Sequence, residues 1–237
     1  MTEHKTQNYF GRDLEAMSFA INYHKWILEE FKPYFGNKVA EVGAGSGNFS
    51  ELLIENLEQL TVFEPSDNMY PLLNQRFTEH PQVQSVHSTF IEAPSEHKTN
   101  LDTVIYVNVL EHIKDDAAEL SHIFDVLQQG GHALIFVPAL RFLYSDLDKD
   151  LGHFRRYHKK DLINLAHSSG FSVVKMHYFD FTGIVPWYIW FVLCKKTMIS
   201  THVSYYDRIV VPIIQKIEQA LRPPIGKNLL MVLKKRG

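Results

Sequence analysis

The chain has 237 residues, 45% of them hydrophobic and 22% charged, which is the ordinary composition of a globular protein with one sizeable core. Its formal net charge is −3, so it lacks the basic surface that duplex nucleic acid requires, and we expect no nucleic-acid partner. Its single cysteine, Cys194, excludes an internal disulfide and a cysteine-rich zinc site.

The first 36 residues come before the first predicted strand. Residues 1–7 are polar and carry no hydrophobic core of a signal peptide, so we expect a cytoplasmic protein. From 8 to 36, apolar residues recur every three or four positions, and the pattern ends by Pro33 or Gly36. It predicts one or two helices that cap the following core.

A glycine-rich turn at 43–47 organises the residues that follow. A short apolar run, 39–42, precedes it, and from Phe49 onward apolar residues return at helical spacing. This pattern predicts a buried strand, a tight turn and a helix. Because glycine has no Cβ, a ligand can lie directly against the main chain of the turn. The first N–H groups of the helix favour a carboxylate or a phosphate.

The glycine spacing and two acidic residues discriminate between ligands. The dinucleotide fingerprint G-x-G-x-x-G needs glycine at position 48 or 50, where this chain has Asn48 and Ser50. Glu41 stands two residues before the first glycine, where its carboxylate would repel a pyrophosphate but attract a cation. Glu64 ends the second predicted strand, 60–63, about 20 residues past the turn, where an acid can accept both hydroxyls of a ribose.

These residues resemble the first two motifs of the class I S-adenosylmethionine-dependent methyltransferases. The resemblance implies that Glu41 lies near the amino acid end of the cofactor and that Glu64 binds the ribose. The cofactor-binding residues that it implies are Glu41, Gly43, Ala44, Gly45, Gly47, Asn48, Phe49, Glu64, Pro65, Ser66, Met69, Thr89, Phe90, Asn108 and Val109. In this family the N-terminal segment often closes the site, which makes Tyr9, Phe10, Arg12 and Tyr23 candidates for cofactor or acceptor contact, or else core aromatics. The alternative for the turn is a bare strand-turn-helix without a ligand.

The next elements are a helix over 66–77 and a short strand over 83–86. Related enzymes frequently carry an acid just after this third strand to hold the adenine amino group, whereas this chain has none until Glu92. Adenine recognition therefore falls to Thr89, to backbone groups or to the aromatic face of Phe90.

A fourth strand is predicted at 101–110, which is nearly continuous apolar sequence and typical of a strand buried on both faces. The string N-V-L-E-H-I from Asn108 resembles the family's fourth motif, at the sheet edge where open α/β sheets bind ligands. The resemblance implies that the backbone of Asn108 and Val109 lies near the sulfonium. His112 either acts on the acceptor or pins the following helix by a hydrogen bond.

A helix over 115–129, ended by Gly130-Gly131, should precede a fifth strand at 132–137 and an irregular loop at 138–150. The segment 152–157, G-H-F-R-R-Y, then resembles a signature of a bacterial subset of these methyltransferases, many of them associated with glycoconjugate or specialised-metabolite pathways. The acceptor-side candidates are Tyr144, His153, Arg155 and Tyr157. The alternative is that Arg155 and Arg156 form structural ion pairs with Asp146, Asp148 or Asp150.

Three of these side chains are candidate catalytic bases, namely His112, His153 and Tyr157. An acidic acceptor would need no base. We expect no metal, because the histidines are scattered along the chain and His153 with His158 lacks the spacing of a helical zinc pair.

The remaining elements complete the fold prediction. A helix at 161–169, a sixth strand at 171–179 and a final strand at 228–233 predict an antiparallel hairpin at the sheet edge. We therefore predict an α/β, Rossmann-like, doubly wound seven-stranded sheet with an antiparallel last strand. The chain should be a single methyltransferase domain, 1–237. It should comprise a helical N-terminal cap (1–36), a core (37–180 and 227–237) and an apolar helical insertion between the last two strands (181–226).

The insertion is the part that the minimal fold does not require. Residues 184–194 are intensely apolar and bordered by Lys195 and Lys196, but too few to span a bilayer. Residues 205–221 place four apolar side chains on one helical stripe, namely Ile209, Ile213, Ile217 and Leu221. The segment 184–221 is either a lid over an apolar acceptor, a homodimer interface, a peripheral membrane contact or additional core.

The functional hypothesis is methyl transfer from S-adenosylmethionine by direct SN2 displacement to a small-molecule, lipid-like or glycoconjugate acceptor. A non-catalytic or regulatory S-adenosylmethionine-binding protein would show the same motifs. A nicotinamide-dependent oxidoreductase would share the fold, but the glycine spacing argues against it.

Overall fold

The computed structural model describes residues 20–196 and 200–236. Its strands are β1 Lys38–Val42, β2 Gln59–Phe63, β3 Val83–Val86, β4 Leu101–Val107, β5 Leu127–Pro138, β6 Ser172–Phe179 and β7 Asn228–Lys234. They form one sheet in the order β3-β2-β1-β4-β5-β7-β6. The pairs among β1 to β5 are parallel, and β7 is antiparallel to both β5 and β6. The predicted Rossmann-like sheet with an antiparallel last strand is therefore confirmed.

Short helices connect the strands. The helices are α1 Ile21–Phe31, α2 Ser50–Ile54, α3 Tyr70–Arg76, α4 Asp116–Val126, α5 Asp146–Asp150, α6 Lys159–Ser168, α7 Ile184–Trp187, α8 Ser200–Tyr205 and α9 Val211–Ala220. A π-helical segment, Tyr188–Leu193, continues α7, and another, Tyr206–Val210, joins α8 to α9. Single 3₁₀ turns lie at Lys32–Tyr34, Ser95–His97, Leu110–His112 and Arg141–Leu143.

The strand order reverses between β1 and β4, which lie side by side in the middle of the sheet. Successive residues of β4 point into opposite apolar layers: Val104 and Tyr106 pack on one side of the sheet and Ile105 on the other. All three are fully buried, which explains the continuous apolar sequence of this strand. In an open α/β sheet, the crevice at the carboxyl end of such a reversal is where ligands bind.

Two local predictions are wrong. The helix expected to run to Gly130-Gly131 ends at Val126, and both glycines lie inside β5. A Cβ on Gly131 would lie 2.9 Å from the carbonyl oxygens of Asp102 and Gln128, so Gly131 permits a close approach of the backbone and does not stop a helix. The loop expected at 138–150 contains α5, whose N-terminus has a capping box between Ser145 and Asp148.

The insertion is attached to the cap and to the end of β6. Asp207 accepts hydrogen bonds from the backbone N–H groups of Asn22 (3.0 Å) and Tyr23 (2.8 Å), which begin α1. Glu218 accepts from the N–H groups of Asp180 (3.1 Å) and Phe181 (2.8 Å). These contacts support the single-domain organisation, which stays a prediction.

The predicted apolar stripe of the insertion faces outward. Its members are between 42% and 72% exposed: Ile209, Ile213, Ile217 and Leu221. The opposite side of the same helical segment is buried, through Asp207, Val211, Ile214 and Glu218. Within the described residues, no helix is both long and apolar enough to cross a membrane.

Candidate functional site

The turn after β1 takes the backbone conformation that only glycine adopts easily. Gly43, Gly45 and Gly47 have φ values of +69°, +57° and +86°. Neighbouring side chains also require two of them. A Cβ on Gly43 would lie 2.6 Å from Val109 Cγ2, and a Cβ on Gly47 would lie 2.7 Å from Phe77 Cε2. The turn is therefore fixed by packing as well as by its own dihedrals.

Glu64 connects the glycine turn to the segment after β2. One carboxylate oxygen accepts from Gly45 N–H at 2.7 Å. The other accepts from the Ser66 backbone N–H at 2.8 Å and from Ser66 Oγ at 2.5 Å. The side chain is 4% exposed, and its carboxylate lies against the glycine turn.

Glu41 lies behind the same turn. It is buried, and Ser50 Oγ donates a hydrogen bond of 2.5 Å to its carboxyl group. Burial raises the pKa of Glu41 to about 8, and the nearby charge of Glu64 acts in the same direction. At that pKa the carboxyl group is mostly neutral at pH 7, and a cation beside it would favour the ionised form.

The other predicted residues of the turn have structural contacts. Asn48 Oδ1 accepts from Arg76 at 2.9 Å. Phe49 is 5% exposed and packs edge-on against the ring of His24, so its side chain belongs to the apolar core and does not line the crevice. The Ala44 N–H donates to the Phe63 carbonyl at 3.1 Å.

The segment after β2 continues directly from Glu64. Pro65 is half-buried, Ser66 is buried, and Met69 is half-buried at the start of α3. The Met69 N–H donates to the Ser66 carbonyl at 3.2 Å.

The segment after β3 differs from the prediction for the adenine. Phe90 is 1% exposed, with its ring packed edge-on against Phe63 and Tyr106, so it offers no open face for stacking. Thr89 Oγ1 donates to Glu92 Oε2 at 2.7 Å. The carboxylate of Glu92 therefore lies beside Thr89 in the segment after β3, although Glu92 is three residues further along the chain.

The loop after β4 lies opposite the glycine turn. Asn108 has a φ of +54°, which is unusual for a residue other than glycine, and its N–H donates to the Phe136 carbonyl at 2.8 Å. Val109 packs on Gly43. Glu111 is fully buried, and neither of its carboxylate oxygens has a hydrogen-bond partner among the described residues. Burial raises the pKa of Glu111 to about 7.

His112 and His153 come together at this loop, with ring centroids 4.6 Å apart. Burial, together with the neighbouring His153, lowers the pKa of His112 to about 4, so His112 is neutral at pH 7. His153 Nδ1 lies 3.0 Å from Asp148 Oδ1, and the same oxygen accepts from Arg156 Nε at 2.8 Å. Of the predicted ion pairs, that between Arg156 and Asp148 is present.

Tyr157 is not placed as a base. Its hydroxyl lies 2.8 Å from Asp116 Oδ2 and 3.2 Å from the Leu110 carbonyl. Burial, together with the charge of Asp116, raises its pKa well above the usual range. Arg155 also pairs with Asp116, at 2.5 Å, and not with the aspartates that the sequence suggested.

Tyr144 supports the same region, because its hydroxyl donates to the His153 carbonyl at 2.6 Å. Of the N-terminal candidates, Tyr23 is buried and donates to Asn228 Oδ1 at 3.1 Å. The other three, Tyr9, Phe10 and Arg12, lie outside the described residues.

An apolar cavity of about 360 Å³ lies between the cap and the insertion. Aromatic side chains dominate its wall: Tyr23, Trp187, Trp190, Phe191, Tyr205 and Tyr206. Lys227 stands at its edge, 2.9 Å from Asp180 and over the rings of Tyr23 and Trp187.

Trp187 connects this cavity to the β4 loop region. Its Nε1 donates to the Leu143 carbonyl at 3.1 Å, and the Arg156 guanidinium lies 4.6 Å from its ring centroid. Sequence reasoning missed Glu111 and Asp148 as site residues. The signal for Glu111 was present in the N-V-L-E-H-I string, whereas nothing local to Asp148 indicated that it would meet His153.

Comparisons with known proteins identify the family of this chain. A family model described as a methyltransferase domain matches residues 3–176. A protein of Mycolicibacterium smegmatis named "Probable S-adenosylmethionine-dependent methyltransferase" is 26% identical over 140 residues, which cover 58% of this chain and 53% of that protein. A "Probable polyketide synthase 42" of Dictyostelium discoideum is 24% identical over 145 residues, 51% of this chain and 6% of that protein. The chain thus spans about half of the first relative and a small part of the second.

Solved structures share the fold. A SAM-dependent methyltransferase from Archaeoglobus fulgidus superposes with a TM-score of 0.62 at 22% identity, covering 94% of this chain and 98% of that one. The N-methyltransferase NodS from Bradyrhizobium japonicum, in complex with S-adenosyl-L-homocysteine, superposes with a TM-score of 0.60 at 12% identity, covering 92% and 88%. The chain therefore belongs to the methyltransferase-domain family, within the class I methyltransferases whose cofactor is S-adenosylmethionine.

Proposed function

We propose that this chain transfers the methyl group of S-adenosylmethionine to a small acceptor that is apolar or lipid-like. The observation that carries the proposal is the pair of buried carboxyl groups at the glycine turn. Glu64 is bound to the turn itself, and Glu41 lies behind it with a pKa of about 8. Two acids at one turn suit a cationic nucleoside, and they disfavour the pyrophosphate of a dinucleotide.

The residues of the crevice fit this cofactor. The bare main chain at Gly43 to Gly47 accepts a ligand at close approach, because its glycines carry no Cβ. We assign the ribose to Glu64 and the amino acid end to Glu41. Pro65, Ser66 and Met69 then line the adenosine, and the Thr89–Glu92 pair is available to the adenine amino group. When bound, S-adenosylmethionine supplies a methyl group already activated by a sulfonium.

The protein must then align an acceptor and exclude water. We propose that Asn108 and Val109 face the reacting end of the cofactor, and that the acceptor occupies the side bounded by His112 and His153. The imidazoles of His112 and His153 lie side by side there, and either one is a candidate to accept the proton of the acceptor. The phenol of Tyr157 is committed to Asp116 and is not assigned this role.

The apolar cavity supports the choice of acceptor class. Among the described residues that line it, the charged ones are Lys227 and Asp207, and Asp207 is already bonded to the backbone N–H groups of Asn22 and Tyr23. Trp187 separates the cavity from the Arg156–Asp148–His153 chain. We propose that an acceptor with its apolar body in the cavity directs its reactive group past Trp187 toward the loop after β4.

The outward apolar stripe of the insertion supports a second element of the proposal, peripheral contact with an anionic membrane surface. Ile209, Ile213 and Ile217 are exposed on one side, and the exposed cations Arg208 and Lys216 accompany them on the same helical segment. Apolar side chains flanked by cations fit an anionic lipid surface. They fit a second copy of this chain less well, because that copy would bring the same cations against Arg208 and Lys216.

Calorimetry and product assays test the cofactor and the reaction. The protein should bind S-adenosylmethionine or S-adenosylhomocysteine with one site per chain and should not bind NAD. Turnover should release S-adenosylhomocysteine in proportion to methylated acceptor, which a regulatory binding protein would not do. Saturable NAD binding, with indifference to the sulfur nucleosides, would contradict the proposal.

A homologous series of alkylphenols tests the acceptor class. Each added methylene should lower KM by about 3- to 4-fold until the cavity is filled, since burying one CH₂ is worth about 0.8 kcal/mol. Trp190→Ala should flatten this dependence, whereas Leu72→Ala, an exposed leucine on α3, should leave it unchanged. A KM independent of chain length would contradict an apolar acceptor.

Vesicle co-sedimentation tests the membrane contact. Wild-type protein should sediment with vesicles of phosphatidylcholine and phosphatidylserine, and the double variant Ile213→Glu/Ile217→Glu should remain in the supernatant. Analytical ultracentrifugation without lipid should give a monomer for both. A wild-type dimer that the double variant abolishes would instead identify the stripe as a homodimer interface.

A further inference from the structure

A cluster of possible metal ligands lies at the carboxyl end of β4. Glu111, His112 and His153 each offer one ligand atom, and these atoms all lie within 4.8 Å of one another. From this geometry we propose that the three side chains bind a divalent transition-metal ion. Sequence spacing gave no sign of the site, because His153 reaches it from the loop after α5.

Glu111 is the strongest indication. Its side chain is fully buried, yet neither carboxylate oxygen has a hydrogen-bond partner among the described residues. A buried carboxyl group without a partner costs folding free energy, so such a group needs an explanation. A cation bound between Glu111 and the two imidazoles would satisfy it.

Both histidines are held in the manner of metal ligands. His153 Nδ1 is hydrogen-bonded to Asp148 Oδ1 at 3.0 Å, which leaves Nε2 for a ligand bond. The His112 ring interacts with the backbone of Leu151. Asp148 is held in turn by Arg156 Nε and by Ser145 Oγ, at 2.8 and 2.9 Å. Outer carboxylates of this kind orient a ligating histidine and raise its basicity.

The donor set selects the kind of ion. Two imidazoles and one carboxylate suit zinc, iron, cobalt or nickel better than magnesium or calcium, which prefer all-oxygen sites. Ligand bonds to zinc are about 2.0–2.2 Å long, so two ligand atoms at tetrahedral angles on one ion are about 3.3–3.6 Å apart. The three ligand atoms here lie within 4.8 Å of one another, so binding an ion requires side-chain rotations that close any wider separation to that distance.

Three protein ligands leave coordination positions open, and in the metal-bound protein the ion occupies the imidazole lone pairs, so neither histidine is then the general base. If the proposed function holds, these positions face the acceptor side of the cofactor crevice, so the acceptor class that fits is one with a hydroxyl or carbonyl oxygen as its reactive end. Metal binding itself does not depend on the proposed function, and the test therefore measures it without cofactor or acceptor.

The test uses the full chain, stripped of metal with a chelator and titrated with Zn²⁺ in a calorimeter and with Co²⁺ in an absorption spectrometer. We expect one tight site per chain and a Co²⁺ spectrum typical of mixed nitrogen and oxygen ligands. Glu111→Gln and His153→Ala should abolish that site, and Asp148→Asn should weaken it about 10- to 100-fold through His153. His167→Ala, which removes an exposed histidine of α6, should leave it unchanged.

Circular dichroism of each metal-free variant separates loss of ligands from loss of fold, and Glu111→Gln keeps the shape of the side chain. The proposal is overturned if wild-type protein shows no saturable Zn²⁺ site. It is also overturned if folded Glu111→Gln and His153→Ala bind Zn²⁺ as the wild type does. Binding of S-adenosylmethionine, measured separately on the same metal-free protein, reports on the proposed function alone.

Discussion

The proposed cofactor side and the proposed acceptor side of the crevice are built differently. On the cofactor side, Gly45 and Glu64 are 19 residues apart in sequence and meet across two adjacent parallel strands. On the acceptor side, the contacts between Arg155 and Lys114 and between Trp187 and Leu143 join residues 41 and 44 positions apart. The first side consists of one strand-turn-helix and the adjacent strand β2, whereas the second is assembled from loops and the insertion. Substitutions on the two sides should therefore affect different properties of the protein.

The largest effect should come from the glycine turn. Gly43→Ala forces a Cβ into Val109 at a φ of +69°, so overpacking and the strained dihedral together should cost about 2–5 kcal/mol of unfolding free energy. Gly130→Ala is the matched control, since its φ of +82° is similar but no atom of the described residues lies within 4 Å of the added Cβ. Urea denaturation should show a loss of about 1–2 kcal/mol there. Equal losses in the two variants would show that the contact with Val109 carries no weight.

The second effect should be confined to the cofactor. Glu64→Gln removes the charge that Gly45 N–H and Ser66 stabilise and that we assign to the ribose. Because hydrogen bonds to a charged group are worth about 1.5–3 kcal/mol, the Kd for S-adenosylhomocysteine should rise by roughly 10- to 100-fold. Glu58→Gln, at an exposed position with the same change in charge, should leave the Kd unaltered. An unchanged Kd in Glu64→Gln would remove the ribose assignment.

The difference between the two sides also explains what the sequence could predict. The cofactor side follows from residues whose neighbours are fixed by one motif, so the turn, Glu41 and Glu64 could be located from spacing. Even there, the positions of Phe49 and Phe90 were misjudged, because whether a ring faces the crevice or the core depends on tertiary packing against His24, Phe63 and Tyr106. On the acceptor side, Asp148 meets His153 only through the fold of α5.

The acidity of Glu41 should be visible in cofactor binding. Its pKa of about 8 in the free protein means that the carboxyl group must lose a proton to pair with a cation. Affinity for S-adenosylmethionine should therefore strengthen as pH rises from 6 toward 8, by at most about tenfold per pH unit, and level off above 8. Calorimetry in buffers of different ionisation enthalpy should detect proton release on binding below pH 8.

Glu41→Gln is the control for that pH dependence, because the amide cannot ionise. Its affinity should be weaker at pH 8 and should lack the slope between pH 6 and 8. The raised pKa has the opposite effect on the free energy of unfolding. Between about pH 4.5 and pH 8 the folded state holds a proton on Glu41 that the unfolded chain has lost, so Glu41 lowers stability as the pH rises from 4.5 to 8. If the affinity of Glu41→Gln for S-adenosylmethionine still rises between pH 6 and 8, another group is responsible for the pH dependence.

The smallest effect should come from Tyr157, on the acceptor side. Tyr157→Phe removes the hydroxyl that contacts Asp116 and the Leu110 carbonyl, so unfolding free energy should fall by about 1 kcal/mol. Asp116 keeps its pair with Arg155, which limits the damage to the loop, and the Kd for S-adenosylhomocysteine should not change. Turnover should remain within a few-fold of wild type, whereas the loss of a general base costs about 10²- to 10⁴-fold. A loss of that size in a folded Tyr157→Phe variant would make the phenol a catalytic group, because the loss of one structural hydrogen bond, worth about 1 kcal/mol, could not produce it.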